Sequence, residues 1–319
     1  VNLSVDAVDL ETFAVEEVQL NSNSSRLGVK GEEALSNGYS AVYKAEWAVS
    51  GDVAGANDLV GRDRYLGLKS NWGTVKLGAI DSPLKSSQGA VDQFDDMTYA
   101  DMGMFIAGEN RLDNVVMYES PKIADVLTVN VAVQSGEGFV DAGVPAAPAD
   151  DDGISASVVY QSGGLYVAAA VDSAIHDGVV QNFVDLLGGP VMPLEALARD
   201  TIRLTGVYTM DALQLGAMIQ TSELNDEDLM GTSIDEESIL LSASYKMGKN
   251  VIKGQFLMST YEVGFGGDIE ATALALGVDH NFTQQTKAFA QVGLSTLEAT
   301  GGFIDDNNNV ISVGMQTKF

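Results

Sequence analysis

At 319 residues the chain is long enough for one large β domain or two ordinary domains. It has no cysteine, which excludes a disulfide framework and thiolate metal sites, and its net charge of -28 removes nucleic-acid binding, which needs a basic footprint. Hydrophobic content of 45% separates it from acidic disordered chains, yet no apolar run approaches the ~18 residues of a membrane-spanning helix.

About sixteen short alternating segments are predicted, at roughly 1–9, 25–32, 39–50, 61–70, 73–80, 111–119, 126–135, 152–161, 164–172, 200–209, 212–221, 237–246, 250–260, 269–279, 286–297 and 310–319. In 154–161 the residues Ile154, Ala156, Val158 and Tyr160 share one face. In 212–221 Leu213, Leu215, Ala217 and Ile219 oppose Gln214, Gly216, Met218 and Gln220. In 251–260 Ile252, Phe256 and Met258 lie opposite Lys253 and Gln255. The last segment places Ile311, Val313, Met315 and Phe319 on one face, with Ser312, Gly314, Gln316 and Lys318 on the other. Period-2 alternation of this kind is a strand with one greasy face.

The connections alternate between short and long. Short ones, such as Asn71–Trp72 and Met210–Asp211, carry tight-turn chemistry. Long ones, at 10–24, 51–60, 81–110, 136–151, 173–199, 222–236, 261–268 and 298–309, are rich in Asp, Glu, Gly and Asn. A helical pattern is confined to 184–198. Both termini then fall on the short-turn rim. A soluble sandwich or propeller would also alternate, but no repeat at blade spacing is present. The rhythm fits a barrel with short periplasmic turns and long outer loops, closed because an unpaired backbone group in hydrocarbon costs several kcal/mol. Charge parity agrees: Arg26, Lys30 and Lys76 alternate with Leu27, Val29, Val75 and Leu77, and so point away from lipid. In 61–70 the parity is ambiguous, since Arg62 and Arg64 align with Leu66 and Leu68. Trp72 and Phe319 suit a membrane interface. The start at Val1, strand-like and without Met, reads as a mature chain after signal-peptide removal.

The runs Ser25-Arg-Leu-Gly-Val-Lys-Gly-Glu-Glu, Gly61-Arg-Asp-Arg-Tyr-Leu-Gly-Leu-Lys69, Gly73-Thr-Val-Lys-Leu-Gly-Ala-Ile-Asp-Ser-Pro83 and Val116-Met-Tyr-Glu-Ser-Pro121, with the terminal Phe319, resemble the general diffusion porins of Gram-negative outer membranes. The likeness follows the whole chain in matching order, so 1–319 is taken as a single domain. It implies an all-β, sixteen-stranded antiparallel transmembrane barrel, usually a homotrimer, that passes small hydrophilic solutes and ions. It also implies that the third long loop, 81–110, folds inward, with Asp92, Asp95, Asp96, Asp101 and Glu109 as candidate acids of a constriction. Arg26, Lys76 and Arg111 are the candidate basic wall, thinned where the family commonly has Arg and this chain has Ala79 and Met117.

Opposed fixed charges in a narrow wet gap orient polar solutes and sort ions. With the acids outnumbering the bases, a cation preference is expected. A substrate-selective porin and a structural or adhesive surface barrel are the alternatives. No cofactor is expected. Asp226-x-Asp228 followed by Glu237 nearly fits a calcium loop, but Met230 breaks it, and an acidic exposed loop is the plainer reading. Beside anionic lipopolysaccharide, such loops could still hold Ca²⁺ or Mg²⁺ loosely. His176 and His280 are expected on opposite rims, and neither forms a nucleophile–base pair, so no enzyme is expected.

Overall fold

The computed structural model describes residues 1–10, 15–53, 59–97, 100–136, 152–177, 179, 198–225, 233–264, 267–299 and 305–319. They form one antiparallel sheet of seventeen strands. In chain order these are β1 (Asn2–Leu10), β2 (Val15–Ser22), β3 (Arg26–Ala34), β4 (Ser40–Val49), β5 (Leu59–Ser70), β6 (Gly73–Asp81), β7 (Arg111–Glu119), β8 (Leu127–Gln134) and β9 (Gly153–Ser162). There follow β10 (Leu165–His176), β11 (Ala198–Met210), β12 (Leu213–Leu224), β13 (Ile234–Met247), β14 (Asn250–Val263), β15 (Gly267–Asn281), β16 (Thr286–Ala299) and β17 (Asp305–Thr317).

Each strand from β3 to β17 pairs with the next, and β17 folds round onto β1 with Asn2 opposite Gln316 and Val5 opposite Val313. Among the described residues seventeen strands stand where sixteen were expected, and β2 and β3, with only residues 23–25 between them, run in the same direction. The added strand is β2, inside a segment expected as loop, which pairs back onto β1 as a hairpin with Leu10 opposite Val15. Its sequence is polar on both sides of Val18 and Leu20, so alternation does not announce it. Among the described residues no ladder joins β2 to β3, and the sheet is not closed by backbone pairing there. Side chains bridge the seam: the Asn2 amide donates to Ser25 Oγ (2.9 Å), and Ser22 Oγ donates to the Val49 carbonyl (3.1 Å).

The two faces are inverted relative to a water-soluble sheet. On β11, Ile202 and Leu204 are 63% and 47% exposed, while Arg199, Thr201, Arg203 and Thr205 are at most 2% exposed. The same alternation exposes Ile219, Leu241, Ile252, Leu276 and Ile311. A continuous apolar belt of this extent exceeds the patches soluble monomers tolerate and needs lipid against it. The short turns fall within a few residues of expectation, and Gly163 and Gly248 take the left-handed backbone that such turns require. On the long-loop side the strands run further than expected. β17 starts at Asp305 rather than 310, and β13 at Ile234 rather than 237. These extensions carry acids outward, such as Glu223, Asp235, Glu262 and Glu298, where alternation no longer marks a strand. Asp226, Asp228, Asp150 and Asp151 and most of the 184–198 stretch lie outside the described residues.

An apolar core sits within the curve of the sheet. Val91, Met102, Phe105 and Ile106, from the segment between β6 and β7, pack on Val207, Met218, Leu240 and Leu257 of β11–β14. Phe94, Met97 and Ala100 pack on Val8, Ala275 and Val310. That segment is the 81–110 connection, and it lies against the inner face.

Candidate functional site

The connection leaves β6 through Ser82, whose Oγ accepts from the Lys85 amide (2.9 Å) and caps a single helical turn, Pro83–Ser86. It is then fastened to successive strands. The Leu84 amide donates to Ser155 Oγ on β9 (3.1 Å), and Tyr166 Oη on β10 donates to the Ser87 carbonyl (3.0 Å). Midway, the Gln93 amide donates to Gln255 Oε1 (2.7 Å), and Lys253 Nζ donates to the Gln93 carbonyl (2.7 Å). On the return, Tyr261 Oη donates to the Phe105 carbonyl (2.9 Å). Burial of side chains such as Phe105 and Ile106 contributes roughly 1.5–3 kcal/mol each. That outweighs the exposed ion pairs nearby, typically about 0–1 kcal/mol.

Four of the expected acids gather at the turn of this loop. Asp92 Oδ1 accepts from the Phe94 amide (2.8 Å). Asp101 accepts from the amides of Gly103 (2.7 Å) and Asp96 (2.9 Å). Carboxylate oxygens of Asp95, Asp96 and Asp101 lie within 4.8 Å of one another. Crowding and burial hold protons on the cluster. Burial, then the charges of Asp101 and Asp95, push Asp92 up to about 7. Asp95 is exposed, yet desolvation by the protein around it, then Asp96 and Asp101, push it up to about 6. Asp101 is raised by burial and by Glu109 and Asp96. Glu109, the fifth, turns instead to Arg203, which donates to its Oε1 at 2.7 Å.

Among the expected basic residues, Arg26 meets the cluster, 3.4 Å from Asp96. Lys76 and Arg111 do not. Lys76 pairs with Glu119 (2.9 Å) and lies over the Tyr65 ring, while Arg111 pairs with Asp63 (2.9 Å) and Asp81 (2.7 Å). Lys253 and Lys287 line a polar cavity of about 200 Å³ together with Asp92, Asp95 and Asp96. Both lysines flank Asp279, at 3.7 and 2.7 Å. A second cavity of about 340 Å³ brings Arg26, Asp95 and Asp96 to the chain ends at Val1 and Phe319.

Elsewhere on the wall, charges alternate in a connected row. Lys44 pairs with Asp63 (2.8 Å), Asp63 with Arg111, and Arg111 with Asp81. Lys85 then stands 4.0 Å from both Asp81 and Glu109, and Glu109 meets Arg203. Arg203, Lys253 and Lys287 were not among the basic residues expected. The parity that placed Arg26 inward also applies to Arg203, which alternates with Ile202 and Leu204. Of the weak metal candidates only Glu237 is described. It is exposed on β13, on the face opposite the buried Glu236.

The chain matches the profile of the Gram-negative porins over residues 2–300. It belongs to that family. Relatives include the major outer membrane protein P.IB of Neisseria gonorrhoeae, 24% identical over 290 residues, covering 84% of this chain and 77% of that one. The major outer membrane protein P.IA of Neisseria meningitidis serogroup C is 26% identical, covering 94% of this chain and 84% of its own. Among solved structures, the anion-selective porin from Comamonas acidovorans superposes with a TM-score of 0.77 at 20% identity, covering 100% of this chain and 97% of that one. OmpT of Vibrio cholerae in its trimer form gives 0.70 at 18%, covering 99% and 97%. The protein is thus a β-barrel porin of the bacterial outer membrane, and its relatives are channels rather than enzymes.

Proposed function

We propose that this porin forms a water-filled, cation-preferring channel for passive diffusion of small hydrophilic solutes and ions, with the 81–110 loop as its constriction. The observation that carries the reading is the acid cluster Asp92, Asp95, Asp96 and Asp101, on a loop held to the wall by hydrogen bonds and bordered by Arg26, Lys253 and Lys287. The two lysines are shared with Asp279, so carboxylates outnumber cations around the gap. Above about pH 7, where Asp92 and Asp95 are ionised, the transverse field carries excess negative charge, which orients polar solutes and favours cations.

The same reading includes a closed sixteen-stranded barrel in the membrane, with β2 and β3 as two halves of one strand lying between β1 and β4. It includes a homotrimer seated in outer-membrane lipid and lipopolysaccharide. Loose association of Ca²⁺ or Mg²⁺ with outward acids at the long-loop ends, Glu237 among them, follows from their proximity to anionic headgroups. The deciding experiment is the reversal potential of single channels in a KCl gradient. A potential of the sign set by K⁺ is expected, and one set by Cl⁻ overturns the cation preference. A barrel that gives no conductance steps overturns the channel itself.

A further inference from the structure

The outgoing and returning arms of the loop converge on one wall side chain. Arg203 of β11 is fully buried. Its guanidinium donates to the Leu84 carbonyl (3.4 Å) on the outgoing arm, and to the Ala107 carbonyl (3.0 Å) and Glu109 Oε1 (2.7 Å) on the returning arm. Its Nε donates to Gln220 Oε1 on β12 (2.7 Å), which fixes the plane of the fork. The returning arm is held by buried neighbours as well. The Ala107 amide donates to Glu236 (3.1 Å), the Gly108 amide donates to Asp177 (2.7 Å), and Gln220 Nε2 donates to the Ala107 carbonyl (2.9 Å). The arms touch each other here: Gly108 has φ of 86°, and a Cβ on it would sit 2.3 Å from Leu84 Cδ2.

We propose that Arg203 is the positioning residue that sets the aperture of the channel, by locking both arms of the constriction loop to β11. The rigid planar fork serves this, because its donors leave three nitrogens in fixed, spread directions, whereas an ammonium has three rotatable donors on a single nitrogen. The acid cluster projects from the far end of those arms, so its place across the gap depends on where the arms are rooted. This assignment rests on the channel reading above, and its test must separate the two.

The test compares wild type with Arg203→Lys and Arg203→Met, each shown to fold by its heat-dependent gel mobility. Single-channel conductance is measured in planar bilayers, and amide hydrogen exchange in detergent. Lys keeps the charge and loses the fork. Both variants are expected to raise conductance. Both are expected to speed exchange at Ala107 and Gly108 by at least about tenfold while β11 and β12 keep wild-type protection. The proposal is overturned if Lys matches wild type in conductance and exchange, since charge alone then suffices. It is also overturned if the faster exchange spreads through β11 and β12, since Arg203 then only supports the wall. Should Met not fold, Lys carries the test; should neither fold, Glu109→Gln carries the same exchange measurement. A wild-type protein silent in bilayers removes the channel reading, and exchange still decides the clamp.

Discussion

Arg26 and Asp96, seventy positions apart, meet at 3.4 Å and join β3 to the turn of the inner loop. The Arg26 side chain is 37% exposed and that of Asp96 18%, so solvent reaches the pair and it contributes little to stability, typically about 0–1 kcal/mol. On the channel reading proposed above, its effect is expected on passing ions rather than on the fold. Replacing Arg26 with Gln removes a fixed cation from the cluster's edge and leaves Asp96 unscreened. The variant is expected to fold at wild-type yield, with its reversal potential in a KCl gradient shifted further toward K⁺. A shift toward Cl⁻, or none, would show that Arg26 does not act on the ion path.

On the proposed channel reading, the acid cluster should make selectivity depend on pH. Asp92 is pushed up to about 7 and Asp95 up to about 6, both first by desolvation within the protein and then by neighbouring carboxylates. Each gains its negative charge only as pH rises through those values. Cation preference should therefore climb between about pH 5 and 8 and level off above. The linkage runs the opposite way for stability. Folded pKa values above the unfolded value of about 3.9 mean that the folded state binds more protons between the two, so the loop loses stability as pH rises from about 4 to 7. Reversal potentials recorded from pH 5 to pH 8 check the first claim. In Asp92→Asn the upper part of the titration should vanish while the part near pH 6 remains, and an unchanged curve would clear Asp92 of any part in it.

The membrane-facing pattern was legible because lipid demands it: Ile202, Leu204, Ile311 and Val313 alternate without a break, and all face outward. Strand ends beyond that belt were not. Asp305 to Asn309 and Ile234 to Glu236 carry polar groups on both faces, and nothing in period 2 separates them from loop. The strand Val15–Ser22 escaped for the same reason. Within the site, the loop acids stood out as a group in one long connection, and Arg26 by its parity with Leu27. The bases that face or hold the loop were harder to find. Arg203 is 94 positions from Glu109, and Lys253 is 160 positions from Gln93. Which strand a loop will lean on is settled by packing of Phe105, Ile106 and Met102 against Leu240 and Leu257, a tertiary match that no local pattern carries.

Asp63 offers a test opposite in sign to that of Arg26. Its carboxylate accepts from Lys44 Nζ at 2.8 Å and from Arg111 Nε at 2.9 Å, and all three side chains are less than a quarter exposed. Replacing it with Asn leaves two cations facing each other across a neutral amide. Fully exposed pairs cost about 0–1 kcal/mol to break and fully buried ones about 3–5, so this half-buried site should lose roughly 1–3 kcal/mol. That loss should appear as a lower temperature for the heat-dependent gel shift. Arg111 also holds Asp81 at the root of the inner loop, so the variant leaves the loop anchored while adding one net positive charge to the wall. Its reversal potential should move toward Cl⁻, against the direction of Arg26→Gln. Combining Arg111→Gln with Asp63→Asn removes one of the facing cations and should restore much of the lost heat resistance. If the double variant is as weak as the sum of the two singles, Asp63 and Arg111 do not act as a pair, and the alternating row of charges from Lys44 to Arg203 has no energetic unity.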